Sequence, residues 1–289
     1  MIDIVFTILA FNVLIIIFKL FDRLKIDNLQ ALIVNYITAG TCAYLFTSQT
    51  ISTQEVYQSG YFYHALAIGF LFIVVFNFYA TGTQKVGIAI TTVANKLSLF
   101  IPVGVAIFLY PNDHLNLSKF VGFILAAVSI YLSSTQNRKL NFDKKYLWLI
   151  ILVFVGQGIA DTIFNHAQRT VVNEDEKTTF FIVLFMMAAV CGFIILLFKA
   201  LKIKIELSLK NVIGGIALGI PNYISLVLFF NALESSGLEA SQVFPVVSMG
   251  VIVVSALVGK ILFKEQLTWF NWLGLALSVI AIYIITFMN

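Results

Sequence analysis

The sequence predicts an all-α integral membrane protein in which ten transmembrane helices form two inverted repeats of five. Three observations support this prediction: the composition of the chain, the length of its apolar segments, and its internal similarity. Hydrophobic residues make up 60% of the chain and charged residues 11%. Because soluble domains contain roughly 45 to 50% apolar and about 25% charged residues, the composition excludes a water-soluble globular protein.

Ten apolar segments are each about 16 to 25 residues long, the length that a helix needs to cross a bilayer core of about 30 Å. They cover 2–21, 29–47, 61–80, 87–109, 119–134, 146–167, 179–198, 211–232, 242–263 and 269–287. The first segment lacks the basic start and the cleavage site of a signal peptide, so we expect it to remain as a span. The connectors are too short to fold as soluble domains.

The two halves of the chain resemble each other. Gly122 in the fifth segment recurs as Gly274 in the tenth, about 150 residues later, and further glycine and cysteine pairs agree with this offset. The sequence therefore divides into an N-terminal repeat, 1–140, and a C-terminal repeat, 141–289. Because each repeat has five spans, the second enters the membrane from the opposite face. Such inverted repeats are typical of transporters that bind their substrates near the midplane.

The basic residues predict the orientation of the chain in the membrane. All lysines and arginines lie in or beside connectors that follow odd-numbered spans, except Lys96, Lys119, Arg169 and Lys177. Connectors rich in lysine and arginine stay in the cytoplasm. We therefore expect a bacterial inner-membrane protein with both termini outside.

Two charged residues lie deep within predicted spans, where ionisable groups are costly and usually functional. Lys96 is about ten residues from either end of the fourth span, a distance of about 15 Å along a helix, so its side chain cannot reach the membrane surface. Asp161 is the only other ionisable residue at a comparable depth, in the sixth span. The two residues are candidates for substrate binding. A purely structural ion pair is the alternative.

Neutral polar residues extend this candidate site. In the sixth span, Gln157, Asp161, Asn165 and Gln168 recur at helical spacing and form one polar stripe. Their alternative role is to hold helices together by hydrogen bonds.

Two further spans contribute polar residues. Asn35 lies in the second span, and in the eighth span Pro221 precedes Asn222 and Tyr223. Because proline removes a backbone donor, we expect an interruption of the helix near Pro221, either at a cavity or as a packing kink.

Other chemistry finds no support in the sequence. Cys42 and Cys191 form no metal or redox motif with each other or with the scattered histidines. No nucleotide-binding loop is present. We therefore expect no catalytic residue, no metal site and no cofactor, and the basic residues in the connectors do not indicate nucleic acid as a partner.

The C-terminal repeat carries family marks. Within 226–285 these are a small-residue turn around Gly237, Pro245 early in the ninth span, the run Glu265-Gln266-Leu267-Thr268, and Gly274. In these marks the chain resembles the EamA-type carriers of the drug/metabolite transporter superfamily. The resemblance implies a ten-helix carrier of small metabolites, often an exporter, whose termini are usually cytoplasmic. The distribution of basic residues predicts the opposite orientation.

Together these observations predict a secondary transporter that moves a small polar or zwitterionic, amino-acid-like metabolite across the inner membrane by alternating access. Lys96 would receive a carboxylate, and Asp161 an amine or a proton, which makes the proton a candidate coupling ion. The neutral hydrogen-bonding residues would be Gln157, Asn165, Asn35, Asn222 and Tyr223. A passive channel and a membrane-embedded enzyme remain the alternative functions. The partners expected are a small-molecule substrate and the lipid bilayer.

Overall fold

The computed structural model describes residues 1–47, 52–86, 88–134, 144–201, 206, 208–264 and 266–288. Within these ranges all regular secondary structure is helical, so the all-α prediction is confirmed there. The α-helices are α1 (Ile2–Leu24), α2 (Asn28–Leu45), α3 (Thr53–Gln58), α4 (Phe62–Lys85), α5 (Ile88–Leu97), α6 (Phe100–Leu109), α7 (Leu117–Ser134), α8 (Leu147–Thr170), α9 (Lys177–Ala200), α10 (Leu209–Ser235), α11 (Ala240–Phe263) and α12 (Trp269–Phe287).

Eight segments of the described chain are helical, long enough and apolar enough to cross a membrane. They are Ile2–Phe21, Phe62–Tyr79, Thr91–Leu109, Leu147–Thr170, Glu174–Ala200, Leu209–Ser235, Ala240–Phe263 and Trp269–Phe287. A shorter apolar helix covers Leu117–Ser133. These lengths and compositions are those of a membrane protein. The predicted boundary between residues 140 and 141 lies outside the described residues.

The fourth predicted span is divided into two short helices. Helix α5 ends at Leu97 and α6 begins at Phe100. The cause is Pro102, which has no N–H to bond the Ser98 carbonyl four residues earlier and whose ring would crowd that carbonyl. The Ser98 carbonyl accepts instead from the Ile101 amide at 3.0 Å.

The interruption expected near Pro221 is not observed. Helix α10 runs without a break from Leu209 to Ser235 and includes this proline. Helix α11 likewise continues past Pro245. A proline inside a membrane helix is tolerated when neighbouring groups satisfy the freed carbonyl, so proline alone does not identify the broken span.

The chain divides into two compact units, and each takes segments from both halves of the sequence. The first unit comprises Met1–Asn12, Val75–Thr162 and Asn231–Asn289. The second comprises Val13–Val74 and Ile163–Phe230.

In the first unit, α7 and α12 pack closely in antiparallel orientation. Gly122, early in α7, lies against Ile285, late in α12. Gly274, early in α12, lies against the α7 backbone, where an added Cβ would come within 2.4 Å of the Ser133 nitrogen. Small residues at these positions let the two backbones approach each other.

A buried ion network in the same unit joins the loop before α7 to the start of α11. The Lys119 ammonium donates to Asp113 Oδ1 at 3.3 Å and also contacts the Glu239 carboxylate. Asp113 Oδ2 accepts from the Ser241 backbone nitrogen at 3.0 Å, and the Ser241 hydroxyl donates to its other oxygen. Burial raises the pKa of Asp113, but the Ser241 hydrogen bonds and the Lys119 charge outweigh burial, so this pKa lies below its ordinary value.

The second unit is organised by the antiparallel packing of α2 on α9. Ile33, early in α2, lies against Gly192 of α9, whereas Gly40, late in α2, lies against Met186. Its core is rich in phenylalanine, and the largest fully buried side chains include Phe164, Phe180, Phe181, Phe185 and Phe230.

Candidate functional site

Lys96 lies in the last turn of α5, directly before the break between α5 and α6. Its side chain is half-buried. The C-terminal end of a helix carries partial negative charge, so the end of α5 favours a cation there. A charged residue at a broken helix is the arrangement in which many transporters bind ions and substrates.

Asp161 lies in α8 within the same compact unit and is also half-buried. One helical turn earlier, the Gln157 Nε2 donates a hydrogen bond of 2.9 Å to Asp161 Oδ1. The Gln157 Oε1 in turn accepts from Asn95 Nδ2 at 3.4 Å. A chain of two amides therefore connects the end of α5 to the carboxylate.

Lys96 and Asp161 carry opposite charges and lie in the same compact unit. Among the described residues, no ion pair joins their side chains. The Lys96 ammonium makes no hydrogen bond with the part of the chain that the structure describes. The two opposite charges therefore lie in one compact unit without a contact ion pair between them.

This arrangement has clear chemical consequences. An ammonium with free donors can bind a carboxylate, and a carboxylate with one engaged oxygen can bind an ammonium. A molecule carrying both groups would satisfy both residues at once. Of the predicted residues, Asp161 and Gln157 are in contact, and Asn95 connects them to the end of α5, where Lys96 lies.

A second polar group lies in the second compact unit. Asn222 Nδ2 of α10 donates to Asn35 Oδ1 of α2 at 3.2 Å. The close approach depends on Gly219, because a Cβ there would lie 2.7 Å from the Asn35 carbonyl. Tyr223 stacks on Phe46, with ring centroids 6.0 Å apart. The predicted residues Asn35, Asn222 and Tyr223 are therefore neighbours.

Asn165 and Gln168 belong to the second unit as well. Both side chains are buried, with 2% and 8% of their surface exposed. The oxygens of both amides accept no hydrogen bond from the described residues. Each oxygen can therefore still accept a hydrogen bond. Leaving a buried acceptor unsatisfied costs about 1 to 3 kcal/mol, so a donor from a ligand would be favourable at either position.

Two features were not predicted from the sequence. Asn95 was not selected as a site residue, although it directly precedes Lys96, because its bond to Gln157 depends on tertiary contact. The rings of His64 and His166 lie side by side in the second unit, with centroids 5.6 Å apart, although no sequence spacing joins them. Among the described residues, no group of three metal-ligating side chains comes together.

The chain is similar to a protein of known sequence and to a protein of known structure. No family model matches the chain. A Haemophilus influenzae protein, named only as an uncharacterized protein, is 30% identical over 295 residues, which cover 99% of this chain and 98% of the relative. A protein of known crystal structure matches 99% of this chain and 96% of its own with a TM-score of 0.77. At 14% identity, this match concerns the fold alone.

Proposed function

We propose that this chain, which belongs to the same family as the Haemophilus influenzae relative, is a secondary transporter of a small zwitterionic metabolite. It would move an amino-acid-like substrate across the inner membrane by alternating access. The observation that carries the proposal is that Asn95 and Gln157 link the end of α5, where Lys96 lies, to the Asp161 carboxylate. Lys96 and Asp161 lie in one compact unit but form no contact ion pair among the described residues. A purely structural pair would be expected to form a contact ion pair.

The transporter architecture that we propose has ten transmembrane helices. Eight are the long apolar segments described above. The remaining two would be α2, with 18 residues, and α7, also with 18 residues. Together with the family marks in the C-terminal half, this arrangement supports assignment to the drug/metabolite transporter superfamily, with an EamA-like C-terminal repeat.

The antiparallel helix pairs support an inverted repeat. Helices α2 and α9 are the second and seventh of the ten proposed spans, and α7 and α12 are the fifth and tenth. Each pair therefore joins equivalent positions of the two halves, and each pair is antiparallel, as inversion requires. Gly122 and Gly274, which are equivalent in sequence, also play equivalent parts in one of these pairs.

Each residue of the site has a proposed role. Lys96 receives the substrate carboxylate, and Asp161 receives the ammonium group or, in its absence, a proton. Gln157 donates to one Asp161 oxygen and leaves the other for the substrate. Asn35, Asn222, Tyr223 and Asn165, which lie in the second compact unit, keep their predicted role as neutral hydrogen-bonding residues.

Ligand-dependent stabilisation of the purified protein tests this proposal. Thermal unfolding is measured with small α-amino acids, with the corresponding amines that lack the carboxylate, and with the corresponding acids that lack the amine. A ligand bound only by the folded protein adds about 2.7 kcal/mol at 100 times its Kd. We expect stabilisation by an amino acid and little by either fragment. Equal stabilisation by a fragment, or none by any amino acid, would contradict the proposal.

Counterflow in proteoliposomes separates the transporter from the passive channel. Internal unlabelled substrate should drive transient accumulation of external labelled substrate in a carrier. A channel would show no such overshoot.

The direction of transport does not follow from the resemblance. With both termini outside, the carrier would be inverted relative to the usual arrangement of the superfamily, so the export that is common in the superfamily cannot be transferred to this chain.

A further inference from the structure

The Gln157 side chain makes two hydrogen bonds of opposite polarity. Its Nε2 donates to Asp161 Oδ1 at 2.9 Å, and its Oε1 accepts from Asn95 Nδ2 at 3.4 Å. A carboxamide has donors only on nitrogen and acceptors only on oxygen. The donor on Asn95 therefore selects the orientation in which Gln157 presents its nitrogen to the carboxylate.

The opposite orientation would be harmful to the site. Rotation of the Gln157 amide by half a turn would direct its oxygen towards the Asp161 carboxylate, where two acceptors repel each other. An ammonium arriving at Asp161 would then meet a competing acceptor and a carboxylate that has lost its supporting donor. Hydrogen bonds to charged groups are the stronger class, so this orientation matters more than that of an ordinary surface amide.

Asn95 is itself held by the break between α5 and α6. The Ser98 hydroxyl donates to the Asn95 carbonyl at 2.5 Å. Ser98 lies at the break, and its own carbonyl is the one that Pro102 leaves without an α-helical donor. The backbone of Asn95 is therefore tied to the broken end of α5.

We propose that Asn95 is a positioning residue that fixes the polarity of the Gln157 amide and so keeps Asp161 ready to accept a substrate ammonium. Asn95 does not touch the substrate in this proposal and acts through Gln157. The inference rests on the proposed transport function, because the ammonium is part of the zwitterionic substrate. It also links the broken helix to the binding site.

A double-mutant cycle tests the proposal through transport kinetics. Asn95→Leu keeps a similar side-chain size but removes the donor, and Gln157→Met removes the amide that Asn95 orients. We expect each single variant to raise the KM for the zwitterion about tenfold, the value of one charge-assisted hydrogen bond. The double variant should be no worse than Gln157→Met alone. Additive losses, or an unchanged KM in Asn95→Leu, would overturn the proposal.

Thr92→Val provides the matched control. Thr92 lies on the same helix and its hydroxyl forms a hydrogen bond of 2.9 Å with the Tyr79 hydroxyl. This variant removes an α5 side-chain hydrogen bond without touching the Asn95–Gln157 link, so its KM should stay at the wild-type value. If Asn95→Leu does not fold, Asn95→Ala removes the same donor with less bulk, and Asn95→Gln should restore part of the affinity.

Infrared difference spectroscopy separates this inference from the transport proposal, because it needs no substrate. The carboxyl band of Asp161 is identified by its loss in Asp161→Asn. The band should shift in Asn95→Leu to the position that it takes in Gln157→Met. If the Asp161 band shifts in Asn95→Leu but the wild-type protein binds no zwitterion, the positioning role of Asn95 is upheld and the proposed transport function is refuted. An unshifted band in a protein that does bind zwitterions would refute the positioning role alone.

Discussion

The Asp113 carboxylate accepts a hydrogen bond of 3.0 Å from the backbone nitrogen of Ser241, far along the chain at the start of α11. Asp113 is fully buried and also bonds Lys119, which is itself buried. The Asp113 carboxylate therefore neutralises the buried Lys119 charge and connects the loop before α7 to the start of α11. The arrangement makes this network a sensitive point for the stability of the first compact unit.

Asp113→Asn should destabilise the protein by about 3 kcal/mol, the lower end of the cost of breaking a buried ion pair, since Lys119 keeps Glu239 as a partner. Thermal unfolding in detergent measures the effect. Asp175→Asn is the control, because that residue is exposed. Equal melting temperatures for the two variants would show that the network contributes nothing.

The same carboxylate predicts a dependence of stability on pH. The pKa of Asp113 is lower in the folded protein than its ordinary value of 3.8. Its stabilisation is therefore complete above the ordinary pKa and is lost as pH falls through the lower folded-state pKa. The difference in melting temperature between the wild type and Asp113→Asn should be constant from pH 7 to pH 5 and shrink below pH 4. A difference that grows on acidification would contradict this sign.

Gly274→Ala should impair folding severely, because its Cβ would come within 2.4 Å of the Ser133 backbone nitrogen. Backbone atoms of a packed helix cannot move aside as a flexible side chain can. Gly104→Ala is the matched control: it also lies in a helix, and an added Cβ meets nothing within 4 Å among the described residues. The control should gain up to about 1 kcal/mol from helix propensity. Similar melting temperatures for both variants would refute the close packing of α7 and α12.

Pro102→Ala should allow α5 and α6 to join, since it restores the donor for the Ser98 carbonyl. We expect a folded protein with a lower transport rate, because Lys96 and Asn95 would leave their positions at the break. Pro221→Ala is the comparison, as α10 is already continuous through that proline, and its turnover should stay close to that of the wild type. A low transport rate in Pro221→Ala together with a wild-type rate in Pro102→Ala would contradict this expectation and would assign the functional proline to α10.

Topology is open to a direct measurement. A C-terminal fusion to a reporter that is active only in the cytoplasm should stay inactive if the basic connectors set the orientation. The same reporter in the connector between α9 and α10 serves as the positive control. An active C-terminal fusion would place the termini inside, as is usual in the superfamily.

The sequence was sufficient to predict that the described chain is helical and rich in apolar segments of bilayer length. It also singled out Lys96 and Asp161 as candidate site residues. Hydropathy is a local property, and a lysine or aspartate within a bilayer-length segment is recognisable without a structure. Prolines were less informative. Pro102 breaks its span whereas Pro221 does not, and the difference depends on which neighbouring groups satisfy the freed carbonyl, which is decided by packing.

Long-range pairing also escaped sequence reasoning. The Asn95–Gln157 bond joins α5 to α8, and the Asn222–Asn35 bond joins α10 to α2. Helical periodicity identifies the face of one helix but not the face of the partner that it meets. The compact units, each built from both halves of the chain, follow from the same tertiary contacts and could not be read from the order of segments.

We propose that Lys96 and Asp161 bind the substrate and are not merely a structural pair. Counterflow of a zwitterionic substrate by the double variant Lys96→Met/Asp161→Asn tests this claim most directly, because the double variant leaves neither charge without its partner. We predict a protein as stable as the more stable of the two single variants, with counterflow reduced to the level of empty liposomes. Counterflow by the double variant at the wild-type rate would contradict the account and remove both residues from the site.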